Sequence, residues 1–141
     1  NKVLQNVVIV GCTKTSELIP GIKIATEEDY NAEYLDLKIA AKVVNSVEDA
    51  VKHIQKYSSD HTEVIVTNDY RNSQYFMNTV NSAVIMVNAS SRFSDGGELG
   101  LGAEIGISTT KLHSYGPMGI KSLTTEKFVV LGNGQIRHEI S

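Results

Sequence analysis

Short apolar runs alternate along the chain with segments whose apolar residues recur at helical spacing. Residues 39–44 form one such run, and Ser46 follows as a helix N-cap with Asp49 three residues later in a capping-box-like position. Apolar residues then recur on one helical face, at Val47, Ala50, Val51, Ile54 and Tyr57. This stretch predicts a strand followed directly by a helix.

The same order repeats further along the chain. Residues 64–66 form a second run rich in β-branched residues, and residues 83–87 form a third. Between them, Asn68 or Asp69 can cap a second helix, whose predicted inward face is Tyr70, Ser73, Phe76, Met77 and Val80. Apolar strands joined by single helices predict an α/β fold, with a parallel βαβαβ sheet covered by helices on both faces.

Other segments extend this core in both directions. Residues 7–10 and 22–25 are candidate strands separated by a Pro20-Gly21 turn, and their place in the sheet is open. Seven glycines between residues 96 and 119 indicate an ordered loop region of the kind that carries function. Residues 127–131 predict a last strand, which ends at Gly132-Asn133-Gly134.

Composition narrows the classes of protein that fit. The 141 residues predict one domain, and 41% hydrophobic with 21% charged residues is ordinary globular composition. The net charge of −3 gives no basic field for nucleic acid, and no apolar run approaches the roughly 20 residues that span a bilayer. We therefore expect no nucleic-acid or membrane partner. A single cysteine favours a reducing compartment, and a cytoplasmic location is expected.

The best position for a ligand is the segment that leaves the third strand of the βαβαβ unit. Ligands in open α/β sheets bind beyond the carboxyl ends of the strands, and residues 88–93 start there. Their amide, two hydroxyls and Arg92 guanidinium suit an anionic ligand. From the residues alone, an anion-binding loop and a surface turn with a solvated arginine are equally favoured.

Other candidate sites are weaker. Gly100 and Gly102 are followed by Ile105 where a dinucleotide-binding motif needs its third glycine, and the chain has no phosphate-loop motif. Cys12 follows a predicted strand without a histidine or helix start evidently placed to lower its pKa, so a passive thiol is favoured over a nucleophile. The four histidines show no ligand spacing, and no metal site is expected.

Residues 87–109, from Val87-Asn88-Ala89-Ser90-Ser91-Arg92-Phe93 to Gly106-Ile107-Ser108-Thr109, closely resemble the signature of the γ-glutamyl phosphate reductase family. Flanking segments agree, including Glu33-Tyr34-Leu35-Asp36-Leu37 and His61-Thr62-Glu63-Val64-Ile65-Val66-Thr67. The resemblance is continuous from about Ala32 to Arg137 and looser over residues 1–31. The family, also called glutamate-5-semialdehyde dehydrogenase, belongs to the aldehyde dehydrogenase superfamily.

The resemblance implies an enzyme of proline biosynthesis that uses NADPH to reduce γ-glutamyl phosphate to glutamate-5-semialdehyde. In the family a cysteine thiolate attacks the acyl phosphate, and that cysteine lies upstream of everything in this chain. The chain also begins without a methionine, in residues that read like the tail of a helix. We therefore expect the C-terminal third of such an enzyme, inactive on its own.

The resemblance also implies roles for single residues and segments. Glu33 matches the superfamily glutamate that hydrogen-bonds the ribose next to the nicotinamide. Substrate-anchoring positions, expected to hold the α-carboxylate or amino group of the glutamyl moiety, are Asn88, Ser90, Ser91 and Arg92. Residues 1–87 would be the latter part of the catalytic domain, 88–119 a glycine-rich return segment with the anchor loop, and 120–141 the terminal strand and tail of a homo-oligomer.

Two departures and two alternatives accompany this hypothesis. The family often has Thr at the position of Ser91, which keeps the hydroxyl, and Arg after His113 where this chain has Ser114-Tyr115, which weakens any role for that loop. A free-standing, non-catalytic binding module derived from the same fold is the first alternative. Another acyl-reducing aldehyde dehydrogenase is the second, and the sequence of residues 88–93 disfavours it. The choice between NADPH and NADH stays open.

Overall fold

A computed structural model of the chain describes residues 6–137. The elements in chain order are β1 (Val8–Gly11), α1 (Thr13–Leu18), β2 (Lys23–Ile24), α2 (Glu27–Asn31), β3 (Lys38–Ala41), α3 (Val47–Tyr57), β4 (Thr62–Ile65), α4 (Tyr70–Thr79), β5 (Val84–Val87), β6 (Gly106–Ser108) and β7 (Gly116–Met118). Two short 3₁₀ turns, Ser91–Phe93 and Ile120–Leu123, follow β5 and β7. The predicted alternation of strands and helices is confirmed, and α1 and α2 are additions to it.

The strands form three separate ladders. Parallel pairing gives one sheet of order β2-β1-β3, in which Val8 to Gly11 face Lys38 to Ala41. β4 and β5 form a second parallel pair, from Thr62 opposite Val84 to Ile65 opposite Val87. The hairpin of β6 and β7 is antiparallel. An α/β fold with parallel sheets is therefore confirmed.

The predicted single βαβαβ sheet is wrong in one respect. β3 is not a hydrogen-bonded neighbour of β4, because its partner is β1, the upstream run that the sequence left without a place. The predicted cover on both faces is incomplete at β3, where Ile39 is 43% exposed.

The core lies where α3 and α4 meet over β4 and β5. Val51, Phe76 and Val80 are 5% exposed or less, and Val47, Ile54, Ile65 and Ile85 pack against them. The predicted inward face of α4 is confirmed at Ser73, Phe76 and Val80 but wrong at Tyr70 and Met77, which are 75% and 39% exposed. Tyr70 is the first residue of the helix, and Met77 lies one position beyond the buried stripe.

Side-chain caps begin both long helices. The Ser46 Oγ accepts a hydrogen bond from the Asp49 amide at 3.2 Å, which confirms Ser46 as the N-cap of α3. Asp69, rather than Asn68, caps α4 by accepting from the amides of Arg71 and Asn72 at 2.7 and 3.1 Å. These caps satisfy amides that have no partner within the helix.

The predicted strand over residues 127–131 does not form within the described part of the chain. Residues 124–131 have no regular structure and pair with no other segment of residues 6–137. Their apolar side chains face solvent, with Phe128 95% and Leu131 92% exposed.

Within residues 6–137, no helix is long and apolar enough to cross a membrane.

We predict that Phe76→Ala lowers the free energy of unfolding by about 3–5 kcal/mol, because it empties the space between α3, α4 and β5. Urea denaturation followed by circular dichroism measures the change. Tyr75→Ala is the matched control, since Tyr75 is 38% exposed on the same helix and should cost far less. Equal losses in the two variants would contradict the assignment of the core.

Candidate functional site

Asn88 holds the segment that leaves β5. Its Oδ1 accepts from the Thr67 amide at 2.8 Å and its Nδ2 donates to the Thr67 carbonyl at 2.9 Å. The Asn88 amide itself donates to the Ile65 carbonyl, so these bonds continue the pairing of the two segments beyond the ends of β4 and β5. The backbone φ of 55° lies in the left-handed region, which asparagine tolerates better than most residues. Asn88 therefore fixes the direction in which the chain leaves the sheet.

The 3₁₀ turn that follows exposes two side chains. Ser90 caps the turn by accepting from the Arg92 amide at 3.2 Å, and the Ser94 amide donates to the Ser91 carbonyl at 3.0 Å. Ser91 and Arg92 are exposed, and the Arg92 guanidinium has no ion-pair partner among residues 6–137. Asn88 and Ser90 thus order the loop, while Ser91 and Arg92 remain open to a ligand.

A pair of carboxyl groups lies beside this turn. Asp95 accepts from the amides of Gly97 and Glu98 at 2.8 and 3.1 Å. A hydrogen bond between the Asp95 and Glu104 side chains lowers the pKa of Asp95 and raises that of Glu104. The Arg92 cation contributes to the lowering at Asp95. The glycine-rich loop therefore brings two carboxyl groups together whose pKa values are shifted in opposite directions.

The segment that carries Glu33 is ordered by Asp29. Asp29 forms a capping box with Thr26 at the start of α2, and it accepts from the Tyr34 hydroxyl and the Lys38 ammonium, each at 3.0 Å. Hydrogen bonds from the Thr26 amide first, then from Lys38 and Tyr34, hold the pKa of Asp29 far below its usual range. Glu33 lies between these anchors and is exposed.

Glu33 lines a cleft of about 600 Å³ together with His61, Thr62 and Thr109. Asn88 lines a different cleft of about 320 Å³, next to Thr67 and Asp69. The structure therefore brings Glu33 together with residues that the sequence analysis did not single out, and does not place it in one cleft with Asn88. The signal for His61, Thr62 and Thr109 was present, since all three lie in segments that resemble the reductase family.

Cys12 has a more polar environment than the sequence predicted. Its thiol lies 3.2 Å from the Thr15 hydroxyl and accepts from the Val43 amide at 3.4 Å. These hydrogen bonds, Thr15 first, lower the pKa of Cys12 to about 7. The expectation that no helix start is placed to lower this pKa is therefore wrong, because α1 begins directly after Cys12 and supplies Thr15, while Val43 comes from a distant part of the sequence. Among residues 6–137, no cluster of three His, Cys, Asp or Glu side chains could hold a metal ion.

These features define an α/β unit with its polar side chains on loops beyond parallel strands, the arrangement of ligand-binding α/β enzymes.

Among curated proteins, the chain is 62% identical over 130 residues to the γ-glutamyl phosphate reductase of Salinibacter ruber, and 59% identical over 132 residues to that of Clostridium novyi. These matches cover 92% and 94% of the chain. The resemblance identified in the sequence is confirmed.

Solved structures agree with these relatives. The γ-glutamyl phosphate reductase of Thermotoga maritima is similar over 97% of the chain, with a TM-score of 0.88 and 50% sequence identity. That of Saccharomyces cerevisiae is similar over 70% of the chain, with a TM-score of 0.50 and 33% identity. No family model matches the chain.

The chain spans only part of these proteins. It covers 30% of the Salinibacter relative, 32% of the Clostridium relative and 34% of the Thermotoga structure. The region of similarity is a C-terminal portion of the reductases.

We predict that the protein loses stability as the pH falls below about 4, the ordinary pKa of an unfolded Asp, and that Asp29→Asn makes this loss shallower. The folded pKa of Asp29 is depressed, so its contribution is present above the unfolded value and disappears as the carboxylate is protonated. Urea midpoints between pH 2 and pH 7 measure the slope. Glu28→Gln is the control, because Glu28 makes no ion pair within residues 6–137. An unchanged slope in Asp29→Asn would contradict the role of Asp29.

Proposed function

We propose that this chain is a C-terminal portion of an enzyme that reduces γ-glutamyl phosphate to glutamate-5-semialdehyde and phosphate in proline biosynthesis. The observation that carries the proposal is identity of 59–62% to named reductases over more than nine-tenths of the chain. The common fold with the Thermotoga reductase supports it. Within this proposal, residues 1–87 belong to the catalytic domain, 88–119 are the return segment with the anchor loop, and 120–141 are the terminal strand and tail.

Ser91 and Arg92 are the residues that we propose contact the glutamyl end of the substrate. A guanidinium binds a carboxylate in a bidentate way, through two parallel hydrogen bonds. Arg92 is exposed and has no ion-pair partner in residues 6–137. The Ser91 hydroxyl can accept from an ammonium group. Asn88 and Ser90 shape the loop, and each retains one donor and one acceptor for the α-carboxylate or amino group.

Glu33 is the residue that we propose holds the cofactor, a nicotinamide dinucleotide and more narrowly NADP(H). The cleft fits a ribose, because an exposed carboxylate accepts from sugar hydroxyls, and the hydroxyls of Thr62 and Thr109 line the same cleft. The Asp29 network fixes the backbone on both sides of Glu33 before a ligand arrives, so it positions the residue while its exposed carboxylate stays open to a ligand. When bound, the cofactor supplies the hydride for the reduction.

The nucleophile is proposed to lie outside this chain. Cys12 has its thiol tied to Thr15 and Val43 at the end of β1, and neither it nor these partners line the cleft of Glu33 or that of Asn88. A lowered pKa alone does not make a catalytic thiol, since the reaction also needs a positioned substrate and cofactor.

We predict that the 141-residue chain alone shows no turnover with γ-glutamyl phosphate and NADPH, whereas the intact reductase that contains it does. The assay follows NADPH absorbance, with the semialdehyde, phosphate and NADP as the reverse reaction. The intact Cys12→Ser variant should keep its activity, because Cys12 is not the nucleophile. Turnover by the short chain that disappears in Cys12→Ser would overturn this assignment, and an inactive intact protein would overturn the proposed function.

The terminal segment 124–131, which contains the exposed apolar residues 128–131, is proposed to pair with a second subunit. Four consecutive apolar residues, each at least 65% exposed, suit strand pairing between chains better than contact with water. We predict that the intact protein sediments as an oligomer at micromolar concentration, and that Val130→Lys shifts it toward the monomer. Sedimentation of the unsubstituted protein as a monomer would contradict this.

We predict that Arg92→Ala in the intact enzyme raises KM for γ-glutamyl phosphate by about 10- to 150-fold, because a charge-assisted contact is worth roughly 1.5–3 kcal/mol. Arg92→Lys should recover only part of the lost substrate binding, since an ammonium cannot bind a carboxylate through two parallel hydrogen bonds. Arg71→Ala, which removes an exposed arginine on α4, is the control. Unchanged KM in Arg92→Ala would make Arg92 a solvated surface residue.

A further inference from the structure

Thr62 lies between the two halves of the candidate site. It is the first residue of β4 and pairs with Val84 of β5. Its Oγ1 lies 2.8 Å from the Ser94 Oγ and 2.7 Å from the His61 Nδ1. A threonine hydroxyl donates one hydrogen bond and accepts up to two, so it can make both contacts at once.

Ser94 connects this hydroxyl to the anchor loop. It ends the 3₁₀ turn that carries Ser91 and Arg92, and its amide donates to the Ser91 carbonyl. The turn therefore has a side-chain hydrogen bond at its end as well as the Ser90 cap at its start.

The anchor loop runs back along β4 between two fixed points. Asn88 is tied to Thr67, just beyond the carboxyl end of the strand, whereas Ser94 is tied to Thr62 at its amino end. Thr62 and Thr67 are five residues apart, so these points are separated by up to about 16 Å, at roughly 3.3 Å per residue. Arg92 lies on the stretch between them, so both attachments limit where its guanidinium can reach.

Thr62 also lines the cleft that contains Glu33, together with His61 and Thr109. One residue thus faces the proposed cofactor cleft and is hydrogen-bonded to the loop proposed to bind the substrate. We infer that Thr62 is a positioning residue, an inference that rests on the proposed function. Through Ser94 it holds the Ser91–Arg92 turn against β4, and so keeps that turn in a fixed position relative to the Glu33 cleft. It acts on the substrate only through that turn.

The first experiment measures the attachment itself in the intact protein that contains the chain. Thr62→Val keeps the side-chain shape and removes the hydroxyl, so hydrogen exchange of the Phe93 and Ser94 amides should accelerate about 5- to 10-fold, the effect of losing one hydrogen bond. Thr62→Ser should restore the slow exchange, and Ser94→Ala should match Thr62→Val. Thr124→Val, which removes a threonine hydroxyl bonded to the Lys121 carbonyl, is the control. Unchanged exchange in Thr62→Val would overturn the inference.

The second experiment measures the consequence for substrate in the intact enzyme. Thr62→Val should raise KM for γ-glutamyl phosphate about tenfold with kcat within twofold, and Thr62→Ser should return KM to its original value. Adding Ser94→Ala to Thr62→Val should produce no further rise, because both changes break one contact. A loss of kcat at unchanged KM would indicate general structural damage and overturn the inference. If the unsubstituted intact protein has no reductase activity, the proposed function fails, and the substrate role of Thr62 fails with it. The hydrogen-exchange data still decide whether Thr62 holds the turn through Ser94.

Discussion

The parallel pairing of β4 with β5 is the constraint on which the candidate site depends. Parallel strands need a crossover connection, and α4 supplies it. The helix stays in place because Phe76 and Val80 pack with Val51 of α3. This packing puts the carboxyl ends of both strands at one edge of the sheet. There Thr67, after β4, and Asn88, after β5, lie next to each other and are hydrogen-bonded. The loop with Ser91 and Arg92 starts from that edge, so its position derives from apolar contacts on the opposite side of the strands.

The segments of the site are held mainly by polar contacts, unlike the helices beneath them. Asp29 orders the backbone around Glu33 through Thr26, Tyr34 and Lys38. Asn88 does the same for the exit from β5. Such bonds are directional, so they fix surface loops without needing the volume of a core. A site built in this way leaves its functional side chains free, because other residues order the backbone.

Periodicity and local hydrogen-bonding chemistry were enough to predict much of this fold from the sequence. The spacing around Val51 and Phe76 predicted α3 and α4, and Ser46 was predicted as a cap, since a cap depends on residues three positions apart. Strand pairing was not predictable in the same way. β1 and β3 are separated by 26 residues between their ends, and their register depends on contacts that no local pattern records. The Val43 contact of Cys12 was missed for the same reason, because Val43 reaches it through the pairing of β1 with β3. The Thr15 contact is local, and it depends on the helix start that the sequence did not indicate.

The left-handed conformation of Asn88 and the use of both its amide atoms have a consequence for the chemical ageing of the protein. Deamidation would convert the Nδ2 donor into a carboxylate oxygen facing the Thr67 carbonyl, so an attractive contact of 2.9 Å would become a repulsion between two acceptors. The adjoining bond from the Thr67 amide would survive, since Oδ1 still accepts. Deamidation would therefore remove one of the two side-chain hydrogen bonds that hold the exit of β5, next to the loop that carries Ser91 and Arg92, while the paired strands stay intact.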